Sequence, residues 1–153
     1  MTDQEASPMP SAQRTLVIMR PVDAVFAFFT DPANDPKWRS QVKEIRAEGA
    51  PAVGSRIHQV VAGPGRGIPA DLEITGYEPN ARYAFAVVAG PVRPQGEFRF
   101  APTAEGGTEV TFSLNAELTG LKKLLMSRPV QKSMDGELAG LDEAKRLLET
   151  STA

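Results

Sequence analysis

Glu109-Val110-Thr111-Phe112-Ser113-Leu114-Asn115-Ala116 decides the fold class of this chain. Val110, Phe112, Leu114 and Ala116 alternate with Glu109, Thr111, Ser113 and Asn115, which makes a strand with one dry face and one wet face. After Gly120 the period changes. Leu121, Leu124 and Leu125, then Met134, Leu138, Leu141 and Leu148, recur at helical spacing, with Glu137, Asp142, Glu143 and Arg146 mostly on other faces. A half-dry strand and an amphipathic helix each need an apolar partner, and here they serve one another.

Working back from that stretch, the period-2 pattern repeats. Phe98 and Phe100 alternate with Glu97 and Arg99; Tyr83, Phe85 and Val87 with Ala84, Ala86 and Val88; Leu72 and Ile74 with Asp71, Glu73 and Thr75. Glu78-Pro79-Asn80, Gly90-Pro91 and Pro102 to Gly107 supply the turns. Arg56 to Ala62 and Val42 to Glu48 read as two further strands. Gly63-Pro64-Gly65-Arg66-Gly67 is a hairpin loop; no helix follows it and no P-loop lysine is present, which excludes a phosphate cradle. Thr15 to Met19 is the first strand. Pro21 opens a helix with Val22, Val25, Phe26 and Phe29 on one face, and Asp31-Pro32 ends it. Asp31 to Trp38 reads as two tight turns with at most one helical turn between them.

Pro129 either kinks a single C-terminal helix or divides a short one from a longer one. At ~1.5 Å per residue, Pro129 to Glu149 spans about 30 Å, the width of a small sheet, and Gly136 and Gly140 allow close approach to it. The expected architecture is α+β: a curved antiparallel sheet of about seven strands wrapped around a long C-terminal helix. Residues 13–150 form its one domain and residues 1–12 a flexible leader. The concave face carries medium or small residues such as Val60, Val87, Ala89, Val110 and Ala116. The interior is therefore either fully packed or partly hollow.

Composition narrows the function classes. Seventeen basic and nineteen acidic side chains give a net charge of −2, so no global field favours nucleic acid. The absence of cysteine removes disulfides, thiolate metal sites and thiol nucleophiles, and agrees with a reducing, cytoplasmic setting. One histidine, His58, rules out a multi-histidine metal site, and no cofactor motif is present. No apolar run is long enough for integral membrane association, and the polar N-terminus lacks a signal peptide's apolar core.

Four local patterns carry a family likeness: Pro21-Val22-Asp23-Ala24-Val25-Phe26 leading to Asp31-Pro32 and Trp38; Val53-Gly54 before a strand; Leu72-Glu73-Ile74-Thr75-Gly76-Tyr77-Glu78-Pro79-Asn80; and the C-terminal helix ending in Leu141, Leu147 and Leu148. In these, residues 14–148 resemble the START-like (SRPBCC) superfamily, in its polyketide cyclase/dehydrase and lipid-transport group. The resemblance implies a helix-grip fold around a hydrophobic cavity. It leaves function open, because the superfamily spans lipid and sterol carriers, hormone binders, aromatic polyketide cyclases and chaperone activators.

The residues expected to line such a cavity are Trp38, Val60, Ile74, Tyr83, Phe85, Val87, Phe98, Phe112, Leu114, Met134, Leu138 and Leu141. If the protein is an enzyme, His58 and Tyr83 are its candidate acid–base groups. If Ile57, Gln59 and Val61 face inward, His58 faces water. Asp71, Glu73, Glu97 and Arg99 read as surface charges. Few polar groups fall on the apolar face, which favours binding or transport of a small apolar ligand (lipid, isoprenoid or aromatic metabolite) over a cyclase or dehydratase acting on a poly-β-ketone-like substrate. A protein-interaction module is the third reading, resting on the basic cluster of Lys122, Lys123, Arg128 and Lys132. Monomer and homodimer are both open. Entry to the cavity is expected between the Gly63–Gly67 loop and Leu118 to Pro129, with Leu125 and Met126 as movable contacts and Pro129 as hinge.

Overall fold

A computed structural model describes residues 10–89 and 92–151. Residues 1–9 of the expected leader and the Gly90-Pro91 turn lie outside the described residues. Seven strands run in the spatial order β1-β8-β7-β6-β5-β3-β2, and a two-residue strand, β4, pairs with β3. The strands are β1 (Ser11–Ile18), β2 (Val42–Ala47), β3 (Arg56–Val61), β4 (Ile68–Pro69), β5 (Leu72–Glu78), β6 (Arg82–Val87), β7 (Gln95–Pro102) and β8 (Thr108–Asn115). Every pairing is antiparallel. β1 starts at Ser11 rather than Thr15, because Ser11 to Arg14 continue the ladder against Phe112 to Asn115.

Register puts the aromatic side chains in rows. Tyr83 faces Phe98 and Phe98 faces Phe112 across β6, β7 and β8. The Phe98 and Phe112 rings stack at 4.1 Å. Helix α1 (Val22–Thr30) follows Pro21 and buries Val25, Phe26 and Phe29. Phe26 meets Phe100 edge-on at 5.2 Å, and Phe29 meets Trp38 edge-on at 5.3 Å. These edge-to-face contacts suit the ring quadrupoles and fill one end of the concave face solidly. A 3₁₀ turn (Pro32–Asn34) and a one-turn helix, α2 (Asp35–Trp38), then lead into β2.

The C-terminal segment runs as α3 (Gly120–Ala139) and α4 (Leu141–Thr150). Pro129 neither divides the helix nor ends it: it lies inside α3, and the break comes at Gly140. A Cβ on Gly140 would sit 2.5 Å from the Trp38 carbonyl oxygen, so the residue between the two helices has to be glycine to lie against α2. The inward stripe also differs from the expected one. Leu121, Leu124 and Leu125 are 68%, 78% and 64% exposed, whereas Val130, Met134 and Leu138 are buried. In α4, Leu141, Ala144 and Leu148 are buried, and Arg14 of β1 pairs with Asp142 at 2.6 Å.

Candidate functional site

A cavity of about 290 Å³ lies between the concave face, α2 and α3. Eight of the expected lining residues surround it: Trp38, Tyr83, Phe85, Val87, Phe98, Phe112, Leu114 and Met134. Four others do not. Val60 lies on the outer face with His58, its side chain against the loop glycine Gly67, because β3 turns Ile57, Gln59 and Val61 inward. Ile74, Leu138 and Leu141 are buried at 1%, 7% and 0% exposure, but in the packed core and not in the cavity wall. Gly96 keeps part of the chamber in shape. It lies opposite Phe85 in the sheet, and a Cβ there would be 2.3 Å from the Phe85 ring.

One end of the cavity is polar, and the expectation of an almost wholly apolar interior fails there. Asp35 and Arg39 are one helical turn apart, so their side chains share a face, and Arg39 Nη1 donates to Asp35 Oδ2 at 3.0 Å. Glu137 of α3 accepts two bonds from Arg39, Nε to Oε1 at 2.8 Å and Nη2 to Oε2 at 3.1 Å. Gln59, 4% exposed, accepts from Nη1 through Oε1 at 3.2 Å. All four residues line the cavity. Glu137 belongs to the inward face of α3, one turn beyond Met134, and not to the outer faces where its charge first placed it.

Burial sets the protonation of this cluster. It pushes the Asp35 carboxyl up to about 6, and Glu137 and Asp31 add to the rise while Arg39 opposes it. Burial works against the Arg39 charge, but Glu137 and Asp35 more than offset it and hold its pKa above the ordinary value. Burial also raises the Tyr83 hydroxyl, assisted by the Asp35 charge and opposed by Arg39. Tyr83 is therefore electrostatically part of the same group. The sequence did hold a signal for these residues: an opposite-charge i,i+4 pair flanking the only tryptophan, and a lone carboxylate inside an apolar helical stripe.

His58 points away from the cavity. Its Nδ1 is 2.9 Å from Asp71 Oδ2, and its Nε2 is hydrogen-bonded to Glu48. Glu97 pairs with Arg82 and Arg99, and Glu73 with Arg56, all on the outer face. Of the two segments expected at the entrance, only Met126 and Pro129 of the second line the cavity; Gly63 to Gly67 do not, although their neighbours Ala62 and Ile68 do. Leu125 does not line it. Gly67 has φ +109°, and a Cβ there would lie 2.7 Å from the Val61 carbonyl oxygen, so this loop glycine is structurally required. Among the described residues no cluster of side chains has the make-up of a metal site, and no helix is long and apolar enough to cross a membrane.

Solved structures share this fold. A crystal structure from Thermus thermophilus is similar at 23% identity and TM-score 0.70, over 93% of this chain and 100% of that one. A START superfamily protein from Mycobacterium smegmatis is similar at 15% identity and TM-score 0.73, over 93% and 99%. The Zhui aromatase/cyclase of a Streptomyces species is similar at 14% identity and TM-score 0.72, over 93% and 94%. At these identities the likeness is one of fold. No curated protein matches the sequence. The family model for polyketide cyclase/dehydrase and lipid transport matches residues 9–146, nearly the whole chain, and the protein belongs to that family.

Proposed function

We propose that the protein binds a small, mostly apolar molecule (a lipid fragment, isoprenoid or aromatic metabolite) and orients it by the polar end of the cavity. The observation that carries this reading is the chamber itself: about 290 Å³, walled by Phe85, Val87, Phe98, Phe112 and Leu114, with charge at one end only. That volume is at the lower end of small-molecule sites, which run from about 300 Å³ upward. Each buried CH₂ contributes ~0.8 kcal/mol, so an eight-carbon body gains ~6 kcal/mol before association costs of at least ~4 kcal/mol. Apolar burial alone supports weak binding. Useful affinity and selectivity then depend on the polar end.

The test is extraction of natively purified protein followed by mass spectrometry for co-purified molecules, alongside titration with the dye ANS. Ala89→Trp, which places an indole against the void, is expected to abolish the dye response while the chain stays folded. No bound molecule and no dye response in the unaltered protein would defeat the reading.

A second reading, an enzyme of cyclase or dehydratase type, has one observation in its favour. Asp35 is a cavity-lining carboxyl with a pKa near 6, suited to proton transfer at neutral pH. In that reading Asp35 replaces His58 as the base: it takes a proton from the carbon between two carbonyls, while the Tyr83 hydroxyl donates a hydrogen bond to the forming enolate. Faster deuterium exchange into a 1,3-diketone with the wild type than with Asp35→Asn is the expected result; equal rates would remove this reading.

A further inference from the structure

The polar end of the cavity carries more negative than positive charge. Among the described residues lining it, Arg39 is the one cation, facing the carboxylates of Asp35 and Glu137. Four of its five N–H groups are already hydrogen-bonded, to Asp35, Gln59 and both oxygens of Glu137. The oxygen Asp35 Oδ1 has no hydrogen-bond partner among the described residues. Nor has the hydroxyl of Tyr83, a residue only 5% exposed that lines the cavity and feels the Asp35 charge. A carboxylate oxygen and a phenol hydroxyl, the latter both donor and acceptor, are thus left open at the charged end of an apolar chamber, whose wall among the described residues also holds one buried donor without a partner, Trp38 Nε1.

An anionic head placed here would add a third negative charge beside one guanidinium whose donors are almost used up. A neutral alcohol would donate one hydrogen bond and leave the excess charge where it is. An ammonium supplies three donors and one positive charge, in a low-dielectric site where charge complementarity counts for more than in water. We infer that the ligand is an amphiphilic amine, its ammonium donating to Asp35 Oδ1 and the Tyr83 hydroxyl and its apolar body lying along Phe85, Val87 and Leu114. This rests on the cavity being the ligand site and goes further by assigning the head group.

The groups facing Asp35 are Arg39, which caps the end of its own helix, Glu137 from α3, Asp31 from the preceding turn and Tyr83 from β6. No second cation is among them. With the Asp35 carboxyl at about 6, amine binding strengthens as pH rises through that value, because only the ionised form receives the ammonium fully.

The experiment uses three probes of one chain length, n-octylamine, 1-octanol and octanoate, below their aggregation limits. The readouts are calorimetry and the fluorescence of Trp38, the chain's single tryptophan, buried in the cavity wall. At pH 7.5 octylamine is expected to bind at least about ten-fold more tightly than either other probe, and about ten-fold more weakly at pH 5 than at pH 7.5. Asp35→Asn should remove the amine's advantage and keep octanol binding; Glu137→Gln, a second way of lowering the negative charge, should reduce it. Octanol or octanoate binding as tightly as the amine would overturn the head-group assignment and leave the cavity reading standing. If none of the three binds while the protein still takes up ANS, the head-group assignment fails and the cavity reading stands; if ANS is not taken up either, both fail.

Discussion

Two charge triads of similar make-up occupy opposite faces of the sheet. Inside, Arg39 lies between Asp35 and Glu137; outside, His58 lies between Asp71 and Glu48. They meet at successive residues of β3, where Gln59 reaches in to Arg39 and the adjacent His58 points out. What separates them is water. On the outside, hydrogen bonds donated to Glu48 and then to Asp71 raise the histidine's pKa, and His58 in turn lowers that of Glu48: both partners move toward the charged form. On the inside, Asp35 moves the other way, up to about 6, although a guanidinium is 3.0 Å away. Pairing alone does not decide protonation; where desolvation is strong it overrides the partner. The inner triad is therefore the one whose charge state can respond to what enters the cavity.

The comparison is broken most severely at Arg39. Arg39→Met keeps the length of the side chain and leaves two mostly buried carboxylates facing one another without a cation. A loss of about 3 kcal/mol at pH 7 is expected, in the range for breaking a buried pair from one side. Much of it should return at pH 5, where Asp35 takes up a proton. Urea unfolding at the two pH values measures both. A loss that does not depend on pH would mean that packing, and not charge, is what Arg39 supplies.

Asp35→Asn should act in the opposite direction. The folded-state pKa of Asp35 is raised from 3.8 to about 6, so the native state holds this proton more tightly than the unfolded chain does. Its contribution to stability is favourable in acid and is lost as pH rises from about 4 to about 6. Two pH units correspond to ~3 kcal/mol, of which a gain of ~2 kcal/mol in the variant at pH 8 is a fair expectation, since asparagine keeps an acceptor for Arg39. Near pH 4 the two proteins should be about equally stable. A variant less stable than wild type at pH 8 would show that the carboxylate's attraction to Arg39 outweighs its desolvation.

These residues also mark where the sequence stopped being readable. The strands were legible because a sheet with one wet face writes its burial directly into alternation. Val110, Phe112 and Leu114 are buried as their pattern requires, and Tyr83, Phe85 and Val87 all reach the cavity. On β3 the rule stated a choice without making it, since Ile57-His58-Gln59-Val60-Val61 is apolar at both parities except at His58 and Gln59. Either of those could face inward, and in the structure it is the glutamine, bonded there to Arg39. The inner triad was hidden for a different reason. Asp35, Arg39 and Glu137 come from two elements about a hundred residues apart, and a charged residue on an amphipathic helix reads as solvent-facing until its partner is known. Nor does periodicity show a close approach such as that of Gly140 to Trp38.

The smallest effect is expected from His58→Gln, and it is the one that sharpens the comparison. His58 has a folded-state pKa raised above its ordinary 6.5, so its contribution to stability is fully present below 6.5 and is lost as pH rises through the folded value. The wild type should therefore be slightly more stable than the variant at pH 6, with the gap closing at pH 9. Because the triad is solvent-facing, salt should also shrink the gap at pH 6, whereas the Asp35→Asn effect should resist salt. Glutamine retains a donor for Asp71, so little else is disturbed. Binding of dye or of octylamine should be unchanged, because the side chain sits on the far side of β3 from the cavity. Thermal unfolding at pH 6 and pH 9, with and without added salt, together with one binding titration, covers all of this. A gap that persists at pH 9, or a shift in ligand affinity, would mean that the two triads communicate through the Gln59–His58 step of β3, and the contrast between a wet and a dry triad would no longer hold.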